Sequence, residues 1–328
     1  MKRAVMLVLV IEVAILLLLP VVISRGIRKT PRGLETPREG LTSPVPVKVL
    51  LHKTGRVETM PLEKYVLGVV AAEMPASFAL EALKAQAIAA RTYAVKRMKT
   101  FGGSGCEGNP EADVCTNPDH CQAWISDQEM RSKWGGDYER NYAKIEEAVA
   151  STAGLVLSYQ NRPVDPVYHS TCGGRTEDAS EVWKDDVPYL KSVECGYCRH
   201  SPSYRTTVDI SFDELGTRLG DRTVPVFFRQ GRAGVEVTSV SPSGRVRALR
   251  VANTVIRGQD IRRLLGLPST SFDVEKRGGS LRFTVRGKGH GVGMCQWGAD
   301  GMARKGKTFE DILRYYYRGV QIRSMYDE

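Results

Sequence analysis

Glu73 is the residue whose setting in the sequence best suits acid catalysis. It ends the apolar stretch YVLGVVAAE, and Pro75 follows two residues later, so the helix that carries Glu73 should stop at the mouth of a loop. A carboxyl group partly removed from water has a raised pKa, which suits a general acid. The alternative is an ordinary exposed glutamate at a helix end. Arg91, on the next helix, could bind an anionic group of a substrate.

A cluster of cysteines and one histidine predicts a metal site in the loop formed by residues 100–122. Zinc binds Cys and neutral His, usually as four ligands in a tetrahedron. The candidate ligands are Cys106, Cys115, His120 and Cys121. The adjacent His120 and Cys121 can face one ion only in an irregular loop, which the Gly, Pro and Asn content favours. Disulfides, or free thiols with an unrelated histidine, remain the alternatives.

A second group of cysteines lies further along the chain. Cys172, in the segment HSTCGGR, could combine with Cys195 and Cys198 in a second metal site or in a disulfide, and the sequence does not choose between them. A Cys–His nucleophile pair is less favoured, because no third group that would orient the base is evident. The chain has seven cysteines, so at least one is unpaired if the others form bridges.

A glycine-rich segment, GKGHGVGMCQWG at residues 287–298, has neither the P-loop nor the dinucleotide-binding spacing. Glycines that alternate around His290 let the backbone approach a ligand closely. The pattern favours a glycine-lined sugar cleft in which His290, Gln296 and Trp297 supply polar and stacking contacts. The alternative is a tight turn with a structural histidine.

The elements that must position these residues indicate an α+β class, with mixed helices and short antiparallel strands around the cleft. Apolar periodicity predicts helices at residues 62–73, 79–99, 141–153, 212–219, 258–265 and 308–317. Strand patterns occur at residues 47–51, 155–159, 166–169, 206–210, 234–239, 246–251 and 281–285. We expect one continuous catalytic body over residues 47–328.

The N-terminal residues 1–25 predict a membrane anchor. Residues 4–23 are almost wholly apolar and just long enough to cross a bilayer, and no clear cleavage site follows them. A cleaved signal peptide and a buried helix are the alternatives. Residues 26–46 are rich in Pro, Gly and Thr and predict a flexible stalk. The positive-inside count does not support an external body, because basic residues follow the span as well as precede it.

The charge distribution argues against a nucleic-acid partner. The 328 residues include 47 Lys and Arg against 37 Asp and Glu, a net charge of +10. Residues 1–45 contribute +4, and most of the rest lies in residues 201–265, a strand-containing stretch with eleven Arg, six acidic residues and no Lys. No helix-turn-helix, zinc-finger array or RNA-binding motif accompanies these arginines. We expect them to attract an anionic polymer, and a solvated surface is the alternative.

Several motifs together resemble the SpoIID/LytB family, in the order in which that family has them and from residue 47 to the C-terminus. They are EKYVLGVVAAEMP with EALKAQAIAARTYA, then YHSTCGGRTE, GKGHGVGMCQWGADGMA and GKTFEDILRYYYRGV. The resemblance implies a membrane-anchored lytic transglycosylase that acts on peptidoglycan during sporulation engulfment. It would cleave the β-1,4 bond between N-acetylmuramic acid and N-acetylglucosamine, and would prefer strands already stripped of stem peptides.

The resemblance also assigns roles to residues. Glu73 matches the catalytic acid and Arg91 an important arginine, and we expect substrate contacts from His169, Ser170, Arg175, His290, Gln296 and Trp297. The family's zinc-binding Cys-x4-His-Cys element matches Cys115, His120 and Cys121, whereas Cys106 is inferred from spacing. The zinc would brace the loop beside the cleft. Cys172 and Cys295 stand where the family often has Ser, which raises the option of a Cys172–Cys295 bridge.

The implied mechanism needs a single carboxyl group, because the C6 hydroxyl of the muramic acid attacks in place of water. A non-catalytic wall-binding module that stimulates a cell-wall amidase is the alternative, and a zinc hydrolase with an open coordination position is a third option. The implied partners are glycan strands, the membrane, a sporulation amidase and a membrane protein of an engulfment complex, and a homodimer is one option. The body would lie outside the cytoplasm, at the septal or engulfing membrane.

Overall fold

The computed structural model describes residues 44–183, 185–220, 223–230 and 234–326. The predicted anchor, residues 1–25, and nearly all of the stalk, residues 26–46, lie outside the described residues. None of the helices in the described ranges is long and apolar enough to cross a membrane. The α+β class predicted from the sequence is confirmed by the mixture of helices and strands.

The chain up to residue 183 contains most of the longer helices. In order, its elements are β1 (Pro46–Leu51), β2 (Arg56–Pro61), α1 (Leu62–Glu73), α2 (Leu80–Arg97), β3 (Val114–Cys115), α3 (Asp127–Trp134), α4 (Tyr138–Ala150), β4 (Leu155–Tyr159), β5 (Arg162–Pro163), β6 (Tyr168–His169) and α5 (Ala179–Val182). Short 3-10 turns lie at Lys99–Phe101 and Gly135–Asp137.

The rest of the chain is richer in strands. Its elements are β7 (Arg205–Ser211), α6 (Phe212–Leu219), α7 (Thr223–Arg229), β8 (Val235–Val240), β9 (Val246–Val251), β10 (Thr254–Arg257), α8 (Gly258–Leu265), β11 (Phe272–Arg277), β12 (Ser280–Arg286), β13 (Met294–Cys295), α9 (Gln296–Ala303), α10 (Phe309–Tyr316) and β14 (Gln321–Ser324).

Helix α2 is the centre of the larger hydrophobic core. Its many alanines present little bulk, so α1, α4, β4, α9 and α10 all pack against it, and most of its residues are buried. A helix that is apolar on nearly every face is expected to be surrounded in this way. Helix α1 ends where Met74 adopts an extended conformation with φ −121° and ψ 146°, as the following Pro75 requires.

A second hydrophobic core is formed by the part of the chain that runs from β7 to β12. The sheet β11-β12-β7 and the sheet β10-β9-β8 enclose it with α6, α7 and α8. Phe212 and Phe228 stack within it, with ring centroids 4.7 Å apart. This segment contains the arginine-rich stretch at residues 201–265. The described residues of both cores belong to one compact unit.

The expectation of short antiparallel strands is wrong at two places. β1 pairs in parallel with β3, and β6 pairs in parallel with β13, with Tyr168 opposite Met294 and His169 opposite Cys295. The remaining pairings are antiparallel. Parallel strands need a long connection between them, and the chain that connects β6 to β13 contains the whole second core. This pair brings the YHSTCGG and GHGVGMCQW motifs together.

Candidate active site and metal centres

Glu73 is the last residue of α1 and lies beside the loop that follows the Cys and His cluster. Its Oε1 accepts a hydrogen bond of 3.0 Å from the backbone N–H of Ala123. Burial raises the pKa of Glu73 above its ordinary value, and interactions with Ala123, Gln296 and Tyr168 oppose this rise only in part. The carboxyl group is therefore more easily protonated than an exposed glutamate, as its sequence context predicted.

The parallel β6–β13 pair brings Tyr168 and Gln296 to the carboxyl group of Glu73. The buried hydroxyl of Tyr168 donates to Oε1 of Gln122 at 2.9 Å. Gln296 Nε2 donates to Oε1 of Gln86 at 3.4 Å. A buried polar network therefore holds both side chains in place behind the acid.

Tyr168, Gln86 and Gln122 were missed in the sequence, although two signals were available. Tyr168 directly precedes His169 in the motif YHSTCGG, and Gln86 is a polar residue inside the most apolar turns of α2. Gln86 is fully buried, and Gln122 is nearly so. A buried amide needs hydrogen-bond partners, so its presence in a core helix points to a nearby polar site.

Lys133 is the charged group that interacts with Glu73. Its Nζ donates to the carbonyl of Ala71 at 2.8 Å, two residues before the end of α1. The positive charge lowers the pKa of Glu73 and opposes the effect of burial, which remains the larger of the two. Burial lowers the pKa of Lys133, and the interaction with Glu73 opposes this lowering only in part.

The two histidines expected to contact substrate are held by backbone groups. Nδ1–H of His169 donates to the carbonyl of Val292 at 3.0 Å. Nε2 of His290 donates to the carbonyl of Tyr168 at 3.0 Å, and its Nδ1 accepts from the N–H of Val292 at 3.1 Å. Burial lowers the pKa of His169 well below its ordinary value and that of His290 to about 4. His290 thus has the structural role that was the alternative to a sugar contact.

The alternating glycines approach protein atoms, which corrects the expectation that they approach a ligand. Gly287 has φ +79°, and a Cβ there would lie 2.4 Å from the carbonyl oxygen of Thr171. Gly293 has φ +69°, and a Cβ there would lie 2.1 Å from the carbonyl oxygen of Val167. Glycine is required because the two motifs pack backbone to backbone, and this packing forms one wall of the site.

The other expected substrate contacts lie at different depths. Trp297 is half-buried, with its ring centroid 4.9 Å from that of Phe78 and 5.1 Å from that of His200. Ser170 is half-buried, and its carbonyl accepts from the N–H of Trp297 at 3.1 Å. Arg175 is exposed and donates from Nε to Oγ of Ser192 at 3.2 Å.

A groove of about 780 Å³ opens next to Ser170. Its basic side chains are Arg262, Arg263 and Lys288, and Asp260 also lines it, with Oδ1 3.5 Å from Nη2 of Arg263. Gly289 lies between the groove and the β6 strand. The ring centroid of the exposed Trp183 lies 5.2 Å from that of His290. Trp183 was not predicted from the sequence, because a single tryptophan in an irregular segment carries no spacing signal.

Arg91 does not face the cleft in this structure, which corrects its expected contact with substrate. Its side chain is fully buried, and its Nη2 lies 2.6 Å from Oε2 of Glu63. Nε also donates to Glu63 at 2.9 Å, and Nη1 donates to the carbonyl of Leu155 at 3.1 Å. This buried ion pair connects α2 with the first turn of α1 and with β4.

The first Cys and His cluster has the geometry of a zinc site. Sγ of Cys106, Cys115 and Cys121 lie 3.6, 3.3 and 3.5 Å from Nδ1 of His120. Ligands around a tetrahedral zinc ion, at about 2.3 Å for sulfur and 2.0 Å for nitrogen, are separated by about 3.5 Å. The four donor atoms lie within 4.8 Å of one another, so the residues present fit the ion.

This cluster is connected to Glu73 through a short piece of chain. Cys121 is two residues before Ala123, whose N–H binds the carboxylate. Between them, Gln122 binds Tyr168, and the hydroxyl of Tyr93 donates to the carbonyl of His120 at 3.3 Å. Any interaction that holds Cys121 in place therefore also positions the N–H of Ala123, which donates to Glu73.

The second cysteine cluster has four members. Cys172, Cys195 and Cys198 are joined by Cys295, which was expected only as a disulfide partner of Cys172. All four are buried and have free thiols in this structure, so the Cys172–Cys295 bridge is not formed here. Sγ of Cys172 lies 3.4 Å from Sγ of Cys198.

Comparison with known proteins shows extensive similarity to sporulation proteins. Residues 51–159 match the family model SpoIID, described as Stage II sporulation protein. The chain is 40% identical to Stage II sporulation protein D of Bacillus subtilis (strain 168), over 89% of this chain and 82% of that protein. It is 39% identical to the protein of the same name from Bacillus amyloliquefaciens, over 90% and 83%. It is 27% identical to the Amidase enhancer of Bacillus subtilis (strain 168), over 78% of this chain and 40% of that protein.

Proposed function

Because the chain belongs to the family of stage II sporulation protein D, we propose that it is a lytic transglycosylase that acts on peptidoglycan during sporulation. The bond cleaved is the β-1,4 bond between N-acetylmuramic acid and N-acetylglucosamine. The observation that carries this proposal is the carboxyl group of Glu73, which has a raised pKa, lies at the end of a helix and is held by an N–H of the neighbouring loop.

Glu73 acts first as acid and then as base. Its proton passes to the glycosidic oxygen, so that the bond from C1 of the muramic acid breaks and the N-acetylglucosamine leaves with a free 4-hydroxyl. The C6 hydroxyl of the same muramic acid then bonds to C1 and gives its proton to the Glu73 carboxylate. The product is a 1,6-anhydro end, no water is consumed, and the acid is restored. One carboxyl group therefore suffices, whereas glycoside hydrolases usually require two.

The neighbours of Glu73 support both halves of this cycle. Burial favours the protonated form that donates at the start. The N–H of Ala123 and the side chain of Gln296 favour the carboxylate that forms after the first proton transfer. The fixed positions of Tyr168 and Gln296 keep the carboxyl group oriented without reorganisation during the reaction.

We assign a structural zinc ion to Cys106, Cys115, His120 and Cys121. When bound, zinc would supply a rigid tetrahedral crosslink within the loop formed by residues 100–122. All four positions are filled by protein donors, which does not suit the zinc hydrolase alternative, since that mechanism needs an open position. The residues of the loop then hold Ala123 against Glu73.

Peptide-stripped strands are the proposed substrate because of the basic groove beside Ser170. Removal of the stem peptide leaves a free lactyl carboxylate on each muramic acid. Arg262 is half-buried in the groove, and no ion pair to it is found within the described parts of the chain. A guanidinium group matches a carboxylate with two parallel hydrogen bonds. Lys288 adds a second positive charge on the same groove.

We place the enzyme at the septal or engulfing membrane, held by residues 1–25 with the catalytic body outside the cytoplasm. A sporulation amidase and a membrane protein of the engulfment complex are the proposed partners, because the preferred substrate has lost its peptides. A protease-protection assay tests the orientation. Protection of the body inside the cytoplasm would contradict it.

A second candidate function is a non-catalytic module that binds glycan and stimulates an amidase. The observation that favours it is the similarity to a protein named Amidase enhancer. This candidate predicts glycan binding and amidase stimulation with no glycan cleavage.

Mass spectrometry of peptide-free glycan strands, incubated with the purified chain, separates the candidates. The lytic transglycosylase yields fragments with 1,6-anhydromuramic ends. A hydrolase yields reducing ends and would overturn the proposed reaction. Unchanged strands, together with stimulation of an added amidase, would favour the non-catalytic module.

A further inference from the structure

The four buried cysteines Cys172, Cys195, Cys198 and Cys295 come from three separate segments and meet behind the active site. We propose that they form a second metal centre, a tetrahedral zinc site with four thiolate ligands. This proposal does not depend on the reaction that the chain catalyses. It rests on the sulfur positions, on the donors that surround the sulfur atoms, and on a buried positive charge.

The sulfur positions fit one metal ion. In a tetrahedral zinc site with zinc–sulfur bonds of about 2.3 Å, the sulfur atoms are about 3.8 Å apart. All four Sγ atoms lie within 4.8 Å of one another, and those of Cys172 and Cys198 are 3.4 Å apart. An iron–sulfur cluster places iron and sulfide atoms between its cysteines and needs a wider spacing. Four thiolates at this separation therefore indicate a mononuclear site, and zinc suits a tetrahedral set of sulfur ligands.

Hydrogen-bond donors point at the sulfur atoms. The N–H groups of Cys172 and Gly298 donate to Sγ of Cys295 at 3.2 and 3.3 Å. The N–H of Gly174 donates to Sγ of Cys172 at 3.4 Å. Such donors stabilise thiolates and form the usual second layer around a metal site. Disulfide sulfur atoms are weak acceptors and do not need this arrangement.

Arg245 supplies a buried positive charge for the same cluster. Four thiolates around Zn²⁺ carry a net charge of −2, which is costly to bury without compensation. Arg245 is buried and donates from Nη2 to the carbonyl of Cys172 at 3.0 Å. It interacts electrostatically with the buried Glu177 and also with Cys172 and Cys295. Its Nε and Nη1 have no hydrogen-bond partner among the described residues. The carboxyl group of Glu177 and an anionic centre at the cysteines together account for a buried guanidinium group there.

The position of the cluster gives it a structural role at the active site. Cys295 directly precedes Gln296, which faces Glu73, and Cys172 follows the β6 strand that carries Tyr168. Packing against the cluster is close, since a Cβ on Gly298 would lie 2.7 Å from Sγ of Cys195. A metal ion here would fasten the two parallel strands to the turn at residues 195–198. These strands hold the side chains around the acid.

Metal and thiol counts on the full-length chain, purified without reductant, test the proposal. We expect two zinc ions per chain by elemental analysis and native mass spectrometry. Cys198→Ser should leave one, and Cys115→Ser, the matched change in the first cluster, should also leave one. A single zinc ion in the wild-type chain, retained by Cys198→Ser and lost from Cys115→Ser, would overturn the second site. Iron in place of the second zinc would overturn the identity of the metal.

Alkylation of the wild-type chain keeps the proposal testable even where Cys198→Ser does not fold. The chain is denatured with chelator but without reductant, and the modified cysteines are counted by mass spectrometry. All seven cysteines should be alkylated if two metal ions held them as thiolates. One, three or five modified cysteines would show disulfides, and a disulfide within the second cluster would overturn the metal centre.

Discussion

At the scale of single residues, the burial that suits Glu73 to catalysis also destabilises the fold. Its raised pKa means that the folded state resists ionisation more than the unfolded state does. Burial of Glu73 therefore does not reduce the free energy of unfolding at a pH below its ordinary pKa of 4.5. The free energy of unfolding falls as the pH rises through the higher pKa of the folded state. Functional residues commonly carry such a cost.

Glu73→Gln should consequently stabilise the protein at neutral pH. Urea unfolding as a function of pH should show equal free energies of unfolding for the two proteins below pH 4.5, and a growing advantage of the variant above it. Glu58→Gln, on exposed strand β2, is the matched control and should show no such divergence. A variant that is less stable than the wild type at neutral pH would contradict the burial of an ionisable Glu73.

Arg91 illustrates what local sequence does not show. Its position on α2 predicts only that it lies one helix away from Glu73, whereas the packing of α1 and α4 around α2 decides that it is buried with Glu63. Tyr168 and Gln122 were missed for the same reason, since the hydrogen bond between them joins residues that are 46 positions apart in the chain. Glu73 was predictable because its signals, an apolar helix and a following proline, are local.

Arg91→Met should destabilise the protein by about 3–5 kcal/mol, because it leaves Glu63 buried without its partner. The double variant Arg91→Met with Glu63→Met should recover much of this loss. Urea unfolding measures both, and glycan turnover per folded molecule should stay within about twofold of the wild type. A raised KM with normal stability would instead restore the role of Arg91 in substrate binding.

At the scale of elements, the sequence predicted α1, α6, α8, β4 and β9 with the bounds that the structure shows. Helix α3 was missed although Ser126 and Glu129 form a capping box, which is visible in the sequence as S-x-x-E. Helix α9 was missed because its glycines are poor helix formers and it is held by packing against α2. The parallel pairs could not be predicted, because at least one strand of each pair contains only two residues.

The loop with the proposed first metal centre should control the position of Glu73. Cys115→Ser should remove one zinc ion per chain and lower glycan turnover, because the segment that carries the N–H of Ala123 loses its crosslink. Elemental analysis and product release measure the two effects. Limited proteolysis should show new cleavage between residues 100 and 122 in this variant.

Asp119→Asn is the matched control for that loop. Asp119 is exposed and adjacent to His120, and its side chain is not among the metal-binding atoms. The zinc content and turnover of this variant should equal those of the wild type. Full turnover by zinc-free Cys115→Ser would contradict the bracing role of the first centre.

At the scale of the whole molecule, the positive charge is more localised than the sequence suggested. Many arginines of residues 201–265 are paired with acidic side chains that the sequence alone could not assign to them. Examples are Arg229 with Asp213, Arg247 with Glu181 and Arg250 with Glu236. Much of this stretch is therefore the solvated surface that was the alternative, and the groove beside Ser170 is the better candidate for attracting an anionic polymer.

Arg262→Ser should raise the KM for peptide-stripped strands several-fold, a loss on the order of 1 kcal/mol for a partly exposed charge. The kcat should change little, because the groove lies outside the residues around Glu73. The same variant should show a weaker dependence of KM on salt, since exposed charges are screened. Arg250→Ser, which removes a paired surface arginine, is the control and should leave KM unchanged. A KM independent of salt in the wild type would contradict the electrostatic role.

The most direct test of the central claim compares wild type and Glu73→Gln on the same peptide-free glycan strands. Mass spectrometry measures the rate at which 1,6-anhydromuramic ends appear, with Glu58→Gln as control. We expect wild type and control to release these ends at equal rates, and Glu73→Gln to be slower by at least about 100-fold, as for loss of a general acid. Release of 1,6-anhydro ends by Glu73→Gln at the wild-type rate would contradict the assignment of Glu73 as the catalytic acid and base.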